Sequence, residues 1–545
     1  MKVHPTSYGL AHQAGGESHD SFLVKTWDET VIAVLADGAG TSDTAKEAAE
    51  RAVRSMIGNY EMRPRSWSPQ KSLGEFTNRI NHTLHQDSLT RFGQPELITT
   101  LSVAVIEGDR LYGLNVGDSR VYLAREGSLT RLSTDHVVEG NGLNHVLARA
   151  IGLAPEVEPH FFETDLRNGD IALLCSDGVY NVLDEKLLAD KLRNRSAART
   201  IVSEAQEHAT PETRDDLSAI VLDIQTIGHP RSEEAPLLEI PLKLNQGETI
   251  DGFTLAQPLE PSGRVWKATR DGQCFTLKFA PVEARECEEL ANLFNNEIWQ
   301  ARRLRDSRFF PRAFVPEAAT ARYYAMEYLE APSLATVLHS RRLSVEETVA
   351  LGKFLLGATQ YLLALDLVHG DLKPENILVR SDLNGVQFCL IDFGSVTEMF
   401  SLTSRAGTAS YLAPERFHEA AISERTEIFS IGVTLYEAAT RAFPFGEIER
   451  FQTPRFHSAK RPATVNPNIP PWLEAVLLRA LSPQAERRYQ NYSEMRFDLD
   501  HPGQVAPFYT EGLPLIERDP LRFYRTGFFF LLAAVIGLLL IVLRR

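Results

Sequence analysis

A stretch of mixed charge with three prolines, residues 227–248, determines the architecture that this chain can adopt. It reads IGHPRSEEAPLLEIPLKLNQGE and follows one strand pattern and precedes another. Polar, proline-containing connections of this kind are typical of linkers between domains. We therefore predict one domain over residues 1–226, a linker over 227–248 and a second domain over 249–500.

The composition is that of ordinary globular protein and restricts the partners. With 545 residues, of which 43% are hydrophobic and 24% charged, the chain is not predicted to be disordered, collagen-like or a polytopic membrane protein. The net charge is −15 and no basic block follows the chain, so we expect no nucleic-acid partner. The cysteines, Cys175, Cys274, Cys287 and Cys389, form no CxxC or Cys/His cluster, which argues against disulfides and structural zinc.

The C-terminus carries a long uncharged apolar segment. Residues 527–543 read GFFFLLAAVIGLLLIVL and would span roughly 25 Å as a helix, with arginines on both sides. We predict a single transmembrane anchor there, preceded by a connector over 501–526; the alternative is a buried core helix. The N-terminus has no signal-peptide core, so both domains are expected to be cytoplasmic.

Short apolar segments between turn residues predict strands in the first domain. The predicted strands are Val31–Ala36, Thr100–Ile106, Leu111–Val116, Arg120–Ala124, Ile171–Cys175 and Leu217–Ile224, and the predicted helices are Asp43–Ile57 and Ser72–Phe92. The turn segments EGDR and REGS predict an antiparallel meander over residues 99–132.

Acidic residues stand at the ends of three of these strands. Asp37 ends VIAVLAD, Asp177 ends IALLCSD and Asp215 precedes LSAIVLDI, so an antiparallel sheet can bring them to one edge. Clustered carboxylates repel one another unless cations neutralise them, and an all-oxygen set suits Mg²⁺ or Mn²⁺. Gly38 and Gly178, directly after two of the acids, leave room for an ion. Taken singly, each Asp-Gly pair is most simply a turn.

Further short pieces around these acids occur in a characteristic order. They are ESHDS around Asp20, ADGAG around Asp37, LITTLS at 97–102, NVGDSRVYL at 115–123, STDH at 133–136, RAIG at 149–152, CSDG around Asp177 and DDLSAIVL from Asp215. In these pieces the chain resembles the metal-dependent type 2C protein phosphatases over roughly residues 5–225. The resemblance implies a β-sandwich flanked by helices and hydrolysis of phosphoserine or phosphothreonine.

The resemblance also implies a ligand set for two or three Mn²⁺ or Mg²⁺ ions. Asp37 would bridge two ions, the Gly38 carbonyl would hold one of them, and Asp177 and Asp215 the other. Asp20 would bind metal waters, and Asp118 would join Asp177 at a third ion. Two positions depart from the family: Ala39 replaces a histidine found in eukaryotic members, and Gly15, with His12 nearby, stands where a phosphate-binding arginine is usual.

The second domain contains a set of residues suited to phosphoryl transfer. Its pieces are FTLK ending in Lys278, Glu297 on a helical stretch at 291–304, HGDLKPENIL at 369–378, IDFG at 391–394, GTASYLAPE at 407–415 and a helix at 428–438. They resemble the eukaryotic-like Ser/Thr protein kinases over roughly residues 250–500, which implies a bilobal fold. The sequence as a whole thus predicts an α+β chain of two domains with a transmembrane tail.

By this resemblance each kinase-type residue receives a role toward ATP, Mg²⁺ or the substrate hydroxyl. Asp371 would accept the hydroxyl proton and Lys373 would steady the transferred phosphate. The remaining roles are Mg²⁺ binding by Asn376 and Asp392, ATP positioning by Lys278 and Glu297, contact with ATP by Gly263 and Val265, adenine recognition by the backbone of Glu327 and Leu329 behind Met326, and a pair of Arg488 with Glu415.

Three positions depart from the kinase pattern. The phosphate-covering loop PLEPSGRVW keeps only Gly263 of three glycines, so we expect weaker nucleotide binding. Gly370 replaces the arginine before the catalytic Asp, so control by phosphorylation at Thr403, Ser404 or Thr408 is not expected. Glu427 stands where an Asp usually supports the catalytic loop.

The sequence therefore predicts an enzyme that adds phosphate to protein Ser/Thr with ATP and removes it by metal-dependent hydrolysis. Its partners would be protein substrates and the chain itself, through autophosphorylation, with the membrane bound by the tail. The alternatives are an active phosphatase with an ATP-sensing pseudokinase and a scaffold in which both sites are inactive.

Overall fold

The computed structural model divides into two compact units, each of which is described on its own. The first contains Met1–Leu244, Phe279–Arg303 and Val315–Tyr323, and the second contains Asn245–Lys278, Leu304–Phe314 and Tyr324–Arg545. The structure describes residues 1–12, 16–40, 43–64, 67–138, 146–211, 213–228, 238–304, 307–316, 318–382, 385–398, 408–418, 420–449, 454, 456–508 and 520–543.

The first unit is built from strands with helices on both sides. Its strands are β1 (Lys2–Leu10), β2 (Ser21–Trp27), β3 (Thr30–Ala36), β4 (Leu101–Glu107), β5 (Arg110–Val116), β6 (Arg120–Arg125), β7 (Ser128–Arg131), β8 (His160–Asp165), β9 (Ile171–Cys175) and β10 (Leu217–Thr226). Its helices are α1 (Asp43–Glu61), α2 (Pro69–Phe92), α3 (Asp177–Tyr180), α4 (Glu185–Arg193), α5 (Ala198–His208) and α6 (Glu288–Arg303). A 3₁₀ turn covers Val282–Arg285.

These strands form two five-stranded sheets, in the orders β1-β10-β9-β6-β7 and β2-β3-β4-β5-β8. Alternation along β3 explains the layers: positions 31, 33 and 35 enter the core with residues of the other sheet, whereas positions 32, 34 and 36 pack with α1 and α2. A third cluster joins the other sheet to α4 and α5. The predicted β-sandwich flanked by helices is confirmed.

The meander predicted over residues 99–132 is wrong at its centre. β4 and β5 form one hairpin and β6 and β7 another, but β5 pairs with β8 and β6 with β9. The chain therefore changes sheets between Val116 and Arg120. Gly117 makes this possible, because its φ is +99° and a Cβ there would lie 2.6 Å from Thr100.

The second unit combines a sheet with a mainly helical part. Its strands are β11 (Thr249–Ile250), β12 (Phe253–Pro258), β13 (Val265–Arg270), β14 (Gln273–Phe279), β15 (Ala313–Phe314), β16 (Tyr323–Glu327), β17 (Leu367–Val368), β18 (Ile377–Asp382), β19 (Gly385–Leu390) and β20 (Thr397–Glu398). Its helices are α7 (Leu334–Ser340), α8 (Val345–Leu363), α9 (Glu424–Thr440), α10 (Pro462–Val465), α11 (Pro471–Ala480), α12 (Tyr492–Asp500) and α13 (Pro520–Leu543). The 3₁₀ turns are Pro374–Asn376, Ala409–Tyr411, Pro414–His418, Ala485–Arg487 and Pro502–Gln504.

Six of these strands form one sheet in the order β11-β12-β13-β14-β16-β15, and β17-β20 and β18-β19 form two small ribbons. Helix α9 is buried along most of its length, from Thr426 to Thr440. A capping box at Ser344 fixes the start of α8, because its side chain accepts from Glu347 N while the Glu347 side chain accepts from Ser344 N. The small sheet and the helical part correspond to the two lobes predicted from the sequence.

The C-terminal segment was predicted to be a transmembrane anchor at residues 527–543. Within the described part of the chain, no helix combines the length and the apolar character needed to cross a membrane. The structure does contain α13 over Pro520–Leu543, but the predicted membrane span is not supported.

Candidate active sites

The acids of the first unit come from the ends of strands in both sheets. Asp37 follows β3, Asp177 is the first residue of α3 directly after β9, and Asp215 precedes β10. Because β9 and β10 are antiparallel neighbours, with Cys175 opposite Ala219, their acidic ends lie at one edge. The sandwich therefore brings acids that are about 180 residues apart in sequence to one end.

These carboxylates interact electrostatically. Burial raises the pKa of Asp37 well above its usual range, and the charges of Asp20, Asp177, Asp118 and Asp215 raise it further. The pKa of Asp118 is raised by burial and by neighbouring carboxylates as well. Mutual repulsion of this kind identifies the acids as one group.

Asp20 is the buried member of this group, with 9% of its surface exposed. Among the described residues, neither carboxylate oxygen of Asp20 has a hydrogen-bond partner. Burial, together with the charges of Asp216 and Asp177, raises the pKa of Asp20 to about 7. A buried carboxylate without a partner is costly, and a bound cation or its waters would remove that cost.

Glycines let the backbone pack closely beside the acids. A Cβ on Gly38 would lie 2.5 Å from the Ala45 carbonyl oxygen, and a Cβ on Gly178 would collide with the carbonyl oxygen of Asp216. The Asp37 carbonyl oxygen accepts hydrogen bonds from Thr100 N at 2.8 Å and from Thr99 Oγ1 at 2.8 Å, which fixes the turn after β3. The sequence requires glycine at both positions for steric reasons.

The metal-binding capacity of the group is incomplete from side chains alone. Over the residues that the structure describes, no group of three or more His, Cys, Asp or Glu side chains is arranged to hold a metal ion. The donors that are present are oxygens, and one of them is the buried, unpartnered Asp20 carboxylate. This donor chemistry fits a hard divalent cation that keeps several waters.

Asp216 is a site residue that the sequence analysis missed. Its carboxylate accepts from His12 N at 2.7 Å and His19 N at 2.6 Å, from Ser18 Oγ at 3.1 Å, and its Oδ1 lies 2.8 Å from His12 Nδ1. Burial opposes ionisation, but these hydrogen bonds together lower the pKa of Asp216. The residue anchors the loop that carries Asp20, and the acid pair DD at 215–216 was the available signal.

Two of the three positions tied to departures from the phosphatase pattern, Ala39 and His12, lie in the described part of the chain. Ala39 donates its backbone N–H to Ile98 O at 3.0 Å, and its methyl group has no proton to give. His12 is engaged with Asp216. Gly15, where the phosphate-binding arginine was expected, lies outside the described residues.

In the second unit, Asp371 stands at the centre of a hydrogen-bonded network. Lys373 Nζ lies 2.6 Å from Asp371 Oδ2 and donates to Thr408 Oγ1 at 2.7 Å. The Thr408 backbone N–H donates to Asp371 Oδ1 at 2.9 Å, and Asn376 Nδ2 donates to Asp371 O at 2.9 Å. The Asp371 side chain is thus held between the Lys373 ammonium group and the Thr408 backbone N–H.

A second ion pair holds Asp392. Lys278 Nζ donates to Asp392 Oδ1 at 3.1 Å, and Gly394 N donates to the same oxygen at 3.2 Å. Burial would raise the pKa of Asp392, but Lys278, the Gly394 N–H and His369 together lower it. Asp392 has φ +71°, a left-handed backbone that non-glycine residues seldom adopt. Glu297 lies on α6 of the first unit and is buried, and its predicted pairing with Lys278 stays a prediction.

Glu427 supports the catalytic loop from α9. Its Oε1 accepts from His369 N at 2.8 Å and from Gly370 N at 3.0 Å, and its Oε2 accepts from Tyr492 Oη at 2.8 Å. Burial raises the pKa of Glu427. The glutamate therefore performs the support expected of the shorter aspartate.

Gly370 has a steric role that the sequence did not reveal. Its φ is +79°, and a Cβ would lie 2.8 Å from the carbonyl oxygen of Ser395. The loop conformation therefore favours glycine where related kinases have arginine. Of the hydroxyls considered for control by phosphorylation, Thr408 is bonded to Lys373, whereas residues 403 and 404 lie outside the described residues.

The predicted pair of Arg488 and Glu415 is present. Arg488 Nη1 donates to Glu415 Oε1 at 2.6 Å and Nη2 donates to Oε2 at 2.8 Å. Arg488 is 1% exposed and also donates to the carbonyl oxygens of Ser482, Pro483 and Arg425. This bidentate pair ties the 3₁₀ turn Pro414–His418 to the segment between α11 and α12.

Comparison with family models gives the same division of the chain. Residues 8–221 match the model described as protein phosphatase 2C, and residues 261–493 match the model described as protein kinase domain. The chain carries both domains. The phosphatase domain accounts for the acidic group around Asp37, and the kinase domain accounts for the network around Asp371.

Individual relatives agree with one or the other domain. A probable serine/threonine-protein kinase of Streptomyces coelicolor is 33% identical over 189 residues, which cover 33% of this chain and 28% of that protein. The serine/threonine-protein kinase PknD of Chlamydia caviae is 26% identical over 273 residues, which cover 42% of this chain and 29% of PknD. The chain therefore spans less than a third of the length of these two relatives.

A solved structure of PppA of Pseudomonas aeruginosa, described as a key regulatory component of T6SS, is also similar to this chain. It is 23% identical, and the match covers 41% of this chain and 98% of PppA with a TM-score of 0.36.

The glycine loop of the kinase domain is a closed turn. Gly263 has φ +65° and donates its N–H to Glu260 O at 3.1 Å. The Trp266 indole N–H donates to Gly263 O at 2.8 Å, and this hydrogen bond holds the turn in place. Val265, 8% exposed, lies opposite Lys278 in the strand register. The contact of Trp266 with the loop was not predicted, although the tryptophan three residues after Gly263 could have suggested it.

Glu327 and Leu329, the residues predicted to recognise adenine, take part in backbone hydrogen bonds. Glu327 donates its N–H to Arg312 O at 2.9 Å, and Leu329 O accepts from Ala331 N at 2.9 Å. Adenine recognition by the backbone of Glu327 and Leu329 stays a prediction.

Proposed function

We propose that this chain is a bifunctional enzyme that phosphorylates protein Ser/Thr with ATP and hydrolyses phospho-Ser/Thr. The observation that carries the kinase half is the assembled network of Asp371 with Lys373, Asn376 and Thr408. The phosphatase half is supported by the group of repelling carboxylates around Asp37. Proteins are the substrate class because both domain families act on them.

In the kinase reaction, the side chains position the substrate hydroxyl and take its proton. Asp371 accepts the proton as the hydroxyl oxygen forms its bond to the γ-phosphorus and the bond to the β-phosphate oxygen breaks, so that ADP leaves. Lys373, already 2.6 Å from Asp371, neutralises charge on the transferred phosphoryl group. Lys278 supplies the fixed cation for ATP, and Asn376 and Asp392 are the residues that would hold Mg²⁺.

In the phosphatase reaction, water replaces the Ser or Thr oxygen on phosphorus. Bound Mn²⁺ or Mg²⁺ ions supply an activated water and charge neutralisation of phosphate oxygens. Asp37, the Gly38 carbonyl, Asp177 and Asp215 are the residues that would hold two ions, with Asp20 on metal waters and Asp118 at a third. Asp216 keeps the Asp20 loop in place through His12 and His19.

Two assays test the two activities on the full chain. Transfer of radiolabelled phosphate from ATP to a generic basic protein should be lost in Asp371→Ala. Hydrolysis of an aryl phosphate should depend on Mn²⁺, stop with a chelator and be lost in Asp37→Asn. Absence of both activities in the unsubstituted chain would instead support an inactive scaffold.

An ATP-sensing pseudokinase is the weaker alternative. The degraded glycine loop favours it, but Lys278, Asp371, Asn376 and Asp392 are all present and hydrogen-bonded. ATP binding without any transfer that Asp371→Ala removes would support the pseudokinase.

We further propose that the phosphatase domain removes autophosphorylation from the same chain. The short linker over 227–248 gives each site a high effective concentration of the other domain's phosphorylated residues. Phosphate retained after incubation with ATP and Mg²⁺ should be higher in an Asp37→Asn, Asp177→Asn variant than in the unsubstituted chain. Equal retention would contradict the proposal.

The boundaries 1–226, 227–248 and 249–500 and the cytoplasmic location with a membrane anchor at 527–543 stay predictions of the sequence. Fractionation of cells that hold the full chain, against a chain ending at Arg525, tests the anchor. Equal recovery of both in the soluble fraction would contradict it.

A further inference from the structure

Helix α6 belongs to the kinase domain by sequence but to the first compact unit by packing. It lies within residues 261–493, which match the kinase family model. Its residues Glu288–Arg303 nevertheless belong to the first compact unit, together with the residues that match the phosphatase model. The kinase family helix that carries Glu297 is therefore packed as part of the phosphatase core.

Trp299 is the centre of this packing. Its side chain is 0% exposed and belongs to the same hydrophobic cluster as α1 and α2. The indole ring stacks on Phe76 of α2 with centroids 5.2 Å apart, and its N–H donates to Asn59 O of α1 at 3.2 Å. The Arg79 guanidinium lies 4.8 Å from the centre of the same ring. The indole is thus fixed by stacking, a hydrogen bond and a cation–π contact.

Polar contacts extend along the same side of α6. Lys71 Nζ donates to Asn292 Oδ1 at 3.2 Å, and Arg79 donates to Asn296 Oδ1 at 3.3 Å. One turn beyond Trp299, Arg302 donates to Arg63 O at 3.1 Å. Positions 292, 296 and 299 are spaced by four and three, so they share one helix face. That face is committed to α1, α2 and the loop between them.

Glu297 is placed by this docking. It is two residues from Trp299, about 200° around the helix axis, and so lies on the side away from the docked face. It is 8% exposed. Because α-helices are stiff over four turns, fixing Trp299 also fixes the rotation of α6 and hence the direction of Glu297.

We propose that the phosphatase domain acts as a structural support for ATP binding by the kinase domain, with Trp299 as the positioning residue. The proposal rests on the kinase function proposed above and on the role predicted from the sequence for Glu297, which is to position ATP together with Lys278. It assigns to Phe76 and Arg79, which lie in the phosphatase domain, an effect on the kinase reaction that does not pass through phosphate hydrolysis.

The test uses full-length variants in an Asp37→Asn, Asp177→Asn background, so that phosphatase turnover does not alter the kinase readout. The variants are Trp299→Ala, Trp299→Phe and Arg79→Ala, and the matched control is Leu293→Ala on the same helix, where the side chain is 60% exposed. Two quantities are measured: ATP affinity by calorimetry with Mg²⁺, and the KM for ATP and kcat in transfer to a basic protein. Hydrogen exchange of residues 288–303 reports the docking itself.

We expect Trp299→Ala to weaken ATP binding roughly tenfold, mainly through KM, because a displaced Glu297 misplaces the phosphates. Arg79→Ala should weaken it about threefold, in line with loss of a cation–π contact, and Trp299→Phe should fall between them. All three should increase exchange in 288–303. Leu293→Ala should change none of these quantities.

Unchanged ATP affinity in Arg79→Ala and Trp299→Phe, alongside increased exchange in α6, would overturn the proposal, because the helix would be loosened without consequence. With Asp37 and Asp177 intact, Arg79→Ala and Trp299→Phe should keep Mn²⁺-dependent aryl phosphate hydrolysis. This activity shows that these two variants fold, even if Trp299→Ala does not. Failure of the unsubstituted chain to transfer phosphate would refute the kinase function, and ATP affinity would still decide the role of Trp299.

Discussion

The two acidic sites of this chain differ in how their carboxylates are neutralised. In the kinase domain each of these two acids forms an ion pair with a lysine. Asp371 lies 2.6 Å from Lys373, and Asp392 lies 3.1 Å from Lys278. In the phosphatase domain, Asp37 is surrounded by other carboxylates, which raise its pKa together with burial. One site is balanced by its own lysines, and the other carries an excess of negative charge.

This difference separates the two kinds of metal dependence. The kinase carboxylates are held in place by hydrogen bonds to protein groups and need no metal ion for this. Mg²⁺ would therefore complete a site that is already assembled. The phosphatase carboxylates repel one another, so bound cations would contribute to the stability of the fold as well as to the reaction.

Asparagine substitutions should remove activity from both domains, and in the phosphatase domain the substitution should also raise stability. Asp371→Asn should lower kinase turnover by about 10²–10⁴-fold, because the general base is lost. Asp37→Asn should abolish Mn²⁺-dependent hydrolysis and, with chelator present, raise resistance to urea at neutral pH, since one repelled carboxylate is gone. The checks are both turnover assays and urea unfolding of the full chain. Lower urea resistance of metal-free Asp37→Asn would show that charge repulsion at Asp37 does not destabilise the metal-free phosphatase domain.

Removal of a buried arginine from the kinase domain should be strongly destabilising. Arg488→Ala leaves Glu415 without its bidentate partner and empties a 1% exposed position, so we expect a loss of about 3–5 kcal/mol in unfolding free energy. The control is Arg496→Ala, whose pair with Asp500 is at the surface, with an expected loss of about 0–1 kcal/mol. Equal losses in the two variants would show that burial does not strengthen the Arg488 pair.

Mn²⁺ should stabilise the phosphatase domain to an extent that depends on pH. At 100 times its dissociation constant, a ligand adds about 2.7 kcal/mol to the stability of the state that binds it. The pKa of Asp20 is about 7 when folded against an ordinary value of 3.8, so the metal-free fold loses stability as pH rises through this window. Protons also compete with the ion, so the rise in melting temperature on adding Mn²⁺ should be larger at pH 8 than at pH 6. A larger rise at pH 6 would contradict the assignment.

The sequence predicted elements and motif residues well, because both depend on local patterns. Apolar segments gave strands such as Val31–Ala36 within one residue of β3, and the acids at strand ends lie together as expected. Motif order identified Asp371, Lys373 and Asn376, which form one network. Local periodicity and order are sufficient for such predictions.

Long-range pairing was beyond reach of the same reasoning. The meander failed because turn residues fix hairpins but not the sheet that a strand joins, and Gly117 lets the chain change sheets. Asp216 was missed because its partners, His12 and His19, are about 200 residues away. The docking of Trp299 on Phe76 has no local signal either, since it joins residues matched by different family models.

The smallest expected effect concerns Gly370, beside the balanced catalytic carboxylate. Gly370→Ala should lower stability by about 1–2 kcal/mol for the left-handed backbone alone, and a Cβ placed 2.8 Å from Ser395 O should add to this loss. Gly272→Ala is the matched control, because its φ is +76° and a Cβ there meets nothing within 4 Å. Urea unfolding of the full chain measures both, and kinase turnover should fall only in Gly370→Ala, because the strained loop displaces Asp371 from Lys373. Equal stability losses and equal turnover in the two variants would mean that the loop adjusts freely, and the kinase site would then be less firmly assembled than its ion pairs indicate.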